Sequence, residues 1–168
     1  MPAVLLVIVV YLVAVIQTSL VDVLRIGQVA PDLLALTAVV WVLLARGRSA
    51  FLVAGAIALV GDLIAPGHLG VGAGWMLAVG YGLWRLQAVV KLTNLGTQLL
   101  VIWAAVTVWA VGVGLSGWLL GDVSLSLPTV TARAAGVGLY TAAVALPVLM
   151  VVGWLREPWI ARARKMEY

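Results

Sequence analysis

Long apolar stretches without charged residues alternate with short polar connections along this chain. Four of these stretches contain about 20 residues or more, and they cover residues 1–21, 63–84, 92–121 and 134–155. Because an α-helix rises about 1.5 Å per residue, each stretch is long enough to cross a hydrocarbon core about 30 Å thick. The pattern therefore predicts four membrane-spanning helices.

Two shorter apolar segments, residues 33–45 and 49–61, lie between the first two of these stretches. Asp32, Arg46 and Asp62 lie at their ends, where charged groups reach the polar interface while the apolar part stays in lipid. We therefore predict an all-α polytopic membrane protein with six transmembrane helices; the alternative is that these two segments are re-entrant, which leaves four spans. The predicted single domain covers residues 1–168, with spans at approximately 3–21, 32–46, 49–64, 69–85, 94–120 and 130–155 and a cytoplasmic tail at 156–168.

Composition supports a membrane location. The chain is 65% hydrophobic and 10% charged, and its mean hydropathy is +1.21, whereas soluble domains carry about 25% charged residues. Eight of the ten Lys and Arg residues lie on one side of the predicted bundle, and Arg25 and Arg133 lie on the other. Positive residues favour the cytoplasmic side, so we predict that both termini are cytoplasmic. The net charge of +4 is thus typical of a membrane protein and does not indicate nucleic-acid binding.

Residues that carry enzyme chemistry are scarce in this sequence. The chain has no cysteine and a single histidine, His68, which excludes thiolate sites and His-rich metal sites. The serines have no histidine or lysine base at a recognisable spacing, and no span carries the pair of acids that an intramembrane aspartyl protease needs. We therefore predict no enzyme activity, no metal and no cofactor.

Small residues recur at every fourth position on three of the predicted helices. We call these sets ladders: Ala50, Ala54 and Ala58 on the third helix, Gly70, Gly74, Ala78 and Gly82 on the fourth, and Ala134, Gly138 and Ala142 on the sixth. Small side chains at this interval form a groove that allows two helix backbones to approach closely in lipid. We therefore predict that the third and fourth helices pack on each other or on a partner helix.

Two acidic residues stand at predicted helix ends. We predict that Asp62 accepts hydrogen bonds from the turn that follows it, for example from the amides of Gly67 or His68. The other interpretations of Asp62 are a proton-coupling carboxylate and a docking point for a cation of a partner. Asp32 follows Pro31 at the start of the second helix, where the helix dipole favours an acid.

Several short motifs occur in a fixed order at the ends of the first four predicted spans. They are Gln17 to Leu20 at the end of the first span, Pro31-Asp32-Leu33-Leu34 at the start of the second, Gly61-Asp62-Leu63 at the end of the third, and Leu69-Gly70 through Gly80-Tyr81 to Arg85-Leu86 on the fourth. In order and spacing, these motifs resemble the bacterial rod-shape-determining protein MreD family over residues 10–90. The chain departs from many members of that family at Ala65-Pro66-Gly67-His68, where a Ser- or Gly-rich turn is expected.

The resemblance implies a multi-pass protein of the bacterial inner membrane, similar in architecture to the six-helix substrate-binding subunits of energy-coupling-factor transporters. It implies a non-catalytic scaffold that binds the bitopic protein MreC and supports rod shape and peptidoglycan synthesis. MreB, RodA and the transpeptidase of RodA are further expected partners besides membrane lipid, whereas nucleic acid and a small-molecule substrate are not expected. The candidate partner-binding or structural residues are Pro31, Asp32, Gly61, Asp62, Gly70, Gly74, Ala78, Gly82 and Arg85.

Two other functions remain open at this point. The first is the substrate-binding subunit of a vitamin or small-molecule transporter, which the same six-helix layout allows. Such subunits resemble one another in having small residues at four-residue spacing on the first helix, where this chain offers only Ala14 and Thr18. The second is a proton-coupled carrier that uses Asp62. Whether a cavity on the outer side binds lipid or another ligand is also open.

Overall fold

The computed structural model describes residues 3–25, 29–45, 47, 49–65, 68–90, 94–121 and 126–165. The described residues form an all-helical protein with six helices. In chain order the helices are α1 (Ala3–Leu24), α2 (Leu33–Leu44), α3 (Ala50–Ile64), α4 (Val71–Val89), α5 (Leu95–Leu119) and α6 (Leu127–Lys165).

Local chemistry explains where several helices begin and end. The side chain of Asp32 accepts a hydrogen bond from the amide of Ala35 at 2.8 Å, and this cap starts α2. Asn94 caps α5 in the same way through the amide of Gly96. Gly70 precedes α4 with a φ of 89°, a left-handed conformation that glycine adopts without steric penalty. The predicted acidic start of the second helix is therefore confirmed.

Helix α2 lies at the centre of the bundle. It contacts every other helix, and its apolar side chains are buried around most of its circumference. A helix that is hydrophobic all round is expected in a protein core, and α2 has that character because Leu, Val and Ala fill it almost completely. The most extensive helix pairs are α5 with α6 and, after it, α3 with α4.

Two helical segments in the described part of the chain are long and apolar enough to cross a membrane, which indicates membrane association. They are α5 and the first 25 residues of α6, Leu127–Val151. The helix lengths do not support all six predicted spans, because α2 and α3 contain only 12 and 15 residues. At about 1.5 Å per residue, 12 residues reach about 18 Å, which is less than the hydrocarbon thickness of about 30 Å.

Helix α6 is much longer than the predicted sixth span. Its 39 residues continue through Pro147 and past residue 156, where the predicted tail begins, as far as Lys165. At about 1.5 Å per residue this helix is about 58 Å long, roughly twice the hydrocarbon thickness. The C-terminal part of α6 therefore extends beyond the bilayer if Leu127–Val151 crosses it.

Candidate partner-binding groove

The ladder residues on α3 pack inside the bundle. Ala50, Ala54 and Ala58 are all buried, and Ala54 has no exposed surface. Close packing continues at Gly55, since a methyl group added there would meet the side chain of Leu77 on α4. The prediction that the third and fourth helices pack on each other is therefore confirmed.

The ladder residues on α6 also pack inside the bundle. Ala134, Gly138 and Ala142 are buried. A methyl group added at Gly138 would collide with the hydroxyl of Thr107 and lie 3.1 Å from the backbone oxygen of Trp103, so the backbones of α5 and α6 approach closely there. Small residues thus explain why this helix pair has the most extensive contact.

The ladder on α4 has the opposite environment. Gly74, Ala78 and Gly82 are exposed, and a methyl group added at Gly74 or Gly82 would meet no atom within 4 Å. The face of α4 that packs on α3 instead contains the buried residues Gly72 and Gly80. A methyl group at Gly72 would collide with the Asp62 carboxylate, and one at Gly80 would lie 3.1 Å from Phe51 Cβ. Since residues two apart on a helix differ by about 200° in direction, the two faces are nearly opposite.

Two residues of the open ladder, Ala78 and Gly82, form part of one wall of an apolar groove between α4 and α5. The groove has a volume of about 480 Å³. Ala78 and Gly82 of α4 and Ala104 and Ala105 of α5 provide small side chains, so a neighbouring helix can approach both backbones. Larger side chains complete the lining: Trp75, Val79, Leu83, Leu86, Leu100, Val101 and Val108.

Two tryptophans hold α4 and α5 together beside this groove. Trp75 Nε1 donates to Ser116 Oγ at 3.0 Å, and Trp109 Nε1 donates to the backbone oxygen of Gly72 at 2.9 Å. Gly112 leaves space for the indole ring of Trp75, because a methyl group at this position would overlap the ring. The groove therefore lies between two helices whose separation is set by specific contacts. The sequence does not show these contacts, because the spacing of residues within α4 and within α5 does not reveal which of them meet.

Asp62 caps α4 from the end of α3. Its Oδ2 atom accepts hydrogen bonds from the amides of Gly70 and Ala73, each at 3.0 Å. These amides belong to the first turn of α4, whose N–H groups have no partner within the helix. The predicted hydrogen bonds to the following turn are thus confirmed, with Gly70 and Ala73 as donors; Gly67 lies outside the described residues, as does Pro66.

A second polar cluster surrounds the start of α2. The amide of Asp32 donates to Thr141 Oγ1 at 3.1 Å, and the amide of Leu33 donates to Gln17 Oε1 at 2.8 Å. Gln17 Nε2 in turn donates to the backbone oxygen of Pro31 at 3.4 Å. Side chains of α1 and α6 therefore satisfy the amides at the start of the central helix.

Sequence reasoning missed Thr141, which is completely buried on α6. The only signal for it is a single threonine at the centre of an apolar span, where a hydroxyl needs a partner. The sequence analysis names Gln17 as part of a short motif at the end of the first span, but its partners Leu33 and Pro31 could not be identified because they belong to a different part of the fold.

The remaining candidate residues have simpler environments. Gly61 lies near Leu34 of α2, since a methyl group added there would be 3.6 Å from Leu34 Cδ1. Arg85 is exposed on α4 and does not line the groove. Among the residues that the structure describes, no three acidic or histidine side chains lie close enough together to hold a metal ion. The candidate residues therefore separate into a polar set at the helix starts and an open apolar face on α4.

No protein-family model, curated protein or solved structure matches this chain.

Proposed function

We propose that this protein is a non-catalytic membrane scaffold of the MreD type that binds the membrane-spanning helix of MreC in the groove between α4 and α5. The observation that carries the proposal is the open ladder on α4. Two of the three ladders are filled by neighbouring helices of the same chain, whereas Gly74, Ala78 and Gly82 are exposed, and a methyl group at Gly74 or Gly82 would meet no described atom within 4 Å. Glycine is unfavourable in an exposed helix interior. A closely packed partner helix would explain why small residues occupy these exposed positions.

We propose further that all six helices lie in the bacterial inner membrane, with both termini in the cytoplasm. Large apolar side chains on the outer surface support this location. On α1, Val4, Val7 and Tyr11 are each exposed by 65% or more, and Leu139 on α6 is exposed by 66%. A surface of this kind is unfavourable in water and stable in lipid. The short helices α2 and α3 span a locally thinned bilayer or are covered at their ends by their neighbours.

The hydrogen bonds of Asp62 support a structural role for this residue. A carboxylate that holds two helix amides stabilises the start of α4 without any proton transfer. This arrangement fits a scaffold better than a proton-coupled carrier. MreB, RodA and its transpeptidase are then reached through MreC or through other exposed faces of the bundle.

Co-purification with MreC from native membranes in mild detergent tests the groove. Ala78→Leu places an isobutyl group in the groove, and Ala56→Leu makes the same change at an exposed position of α3 that does not line it. We expect Ala78→Leu to lower the recovery of MreC by about tenfold, which corresponds to about 1.4 kcal/mol of lost packing. Ala56→Leu is expected to leave recovery unchanged.

Two results would contradict the proposal at different levels. Full recovery of MreC with Ala78→Leu would show that the groove is not the binding site. A wild-type protein that purifies without MreC, and whose depletion leaves rod-shaped cells unchanged, would contradict the scaffold function itself.

A second candidate function is the substrate-binding subunit of a vitamin or small-molecule transporter. A pocket of about 320 Å³ between α1, α2, α5 and α6 favours it, because a compact ligand would fit there. Tight binding of a vitamin to the purified protein, with no effect of Ala78→Leu, would reverse the order of the two candidates.

A further inference from the structure

The pocket between α1, α2, α5 and α6 combines charged and apolar walls. Its polar side chains are Gln17, Arg25, Asp32 and Arg133. The rest of the lining is mainly alanine and valine from α5 and α6, together with Trp109. The volume of about 320 Å³ exceeds that of several water molecules. The pocket is thus large enough for a polar group that carries an apolar extension.

Among the described residues that line this pocket, positive charges outnumber negative ones. They are the guanidinium groups of Arg25 and Arg133 and the carboxylate of Asp32. That carboxylate already accepts the amide of Ala35, and the amide group of Gln17 is occupied by Leu33 and Pro31. Asp32 and Gln17 therefore hold the start of α2 in place, and the two arginines supply the positive charge of the lining.

We propose that this pocket binds a phosphate group, carried either by a membrane phospholipid or by a free phosphate anion. Guanidinium groups are permanently charged, and their paired N–H donors match the oxygens of phosphate. The apolar part of the lining favours the lipid as the source. It belongs to α5 and α6, the two helices that are long and apolar enough to cross a membrane, so acyl chains lie beside it.

This site is independent of the proposed scaffold function. The pocket and the groove between α4 and α5 share no lining residue. Loss of phosphate binding and loss of MreC binding can therefore be measured separately, and failure of one proposal leaves the other unaffected.

Native mass spectrometry of the delipidated full-length protein tests the site. The probes are phosphatidylglycerol, diacylglycerol with the same acyl chains, and inorganic phosphate. We expect one phosphatidylglycerol to bind and diacylglycerol to bind at least about tenfold more weakly, because it lacks the phosphate group. Displacement of phosphatidylglycerol by inorganic phosphate at a similar concentration identifies the free anion as the natural source, and its failure to displace identifies the lipid.

Variants distinguish this pocket from general attraction of anionic lipid. Arg25→Gln combined with Arg133→Gln is expected to weaken phosphatidylglycerol binding by about tenfold or more, and the corresponding double Lys variant to recover part of it. Arg85→Gln removes an exposed arginine outside the pocket and is expected to have no effect. Ala110→Leu narrows the pocket without changing any charge and is expected to weaken binding as well.

Thermal unfolding of each variant shows whether the bundle is intact. Unchanged binding in the double Gln variant and in Ala110→Leu would overturn the proposal. An equal loss with Arg85→Gln would do the same, because it would assign the effect to surface charge.

Discussion

The ladders on α3 and α4 have the same four-residue spacing and lie on adjacent helices, yet their environments are opposite. Ala54 on α3 is fully buried, whereas Ala78 on α4 is exposed and lines the apolar groove between α4 and α5. The difference arises because α4 packs on α3 through Gly72 and Gly80, which lie on the face opposite to its ladder. A ladder therefore identifies a helix that can be approached closely, but not the helix that approaches it.

The same substitution at matched positions gives the largest contrast between the two ladders. Ala54→Leu adds an isobutyl group where no space exists, and we expect it to lower the free energy of unfolding by about 3 kcal/mol. Unfolding in detergent with a graded denaturant measures the change. A loss below about 0.5 kcal/mol would contradict the tight packing of the α3 ladder.

The direction in which α4 exposes its ladder depends on the cap at its start. Asp62→Ala removes the acceptor of the Gly70 and Ala73 amides, and we expect it to lower the free energy of unfolding by about 2 kcal/mol. Asp62→Asn keeps one acceptor oxygen, so its loss is expected to be about half as large. Thermal unfolding of the two variants side by side measures the difference. Equal losses would show that the charge, rather than the hydrogen bonds, stabilises α4.

Two threonines whose hydroxyl groups lie in the closed part of the bundle distinguish the contribution of hydrogen bonding from that of packing. Thr141→Val removes the acceptor for the Asp32 amide, and we expect a loss of about 1 kcal/mol. Thr107 Oγ1 is buried without a hydrogen-bond partner in the described part of the chain, so Thr107→Val is expected to be neutral or slightly stabilising. Comparison of the two unfolding midpoints checks this. Similar changes in both variants would contradict the assigned role of Thr141.

The smallest effect on stability is expected in the open groove. Ala78→Leu adds volume to an exposed position, so the free energy of unfolding of the isolated protein should change by less than about 0.5 kcal/mol. The same unfolding measurement as for Ala54→Leu applies. A loss as large as that of Ala54→Leu would mean that α4 packs through its ladder after all, and the distinction between the two faces would disappear.

Features that depend on neighbours in sequence were predictable from the sequence. The all-helical class and the six helices follow from apolar stretches and polar breaks, and the cap at Asp32 follows from an acid three residues before Ala35. The hydrogen bonds of Asp62 were predictable as a type, although the donors Gly70 and Ala73 were not. Six membrane spans were not determined in this way, because α2 and α3 are too short for hydropathy alone to place them.

The sequence by itself therefore determined which segments become helices and which positions carry small residues. Only the tertiary structure decided which ladder stays open, because the face that a helix buries depends on its rotation about its own axis. For α4 that rotation is set by contacts far apart in sequence, such as Asp62 with the amide of Ala73 and Trp109 with the backbone oxygen of Gly72. The pocket lined by Arg25 and Arg133 is likewise formed only when side chains of α1 and α6 both reach the start of α2, so no local pattern could have shown it.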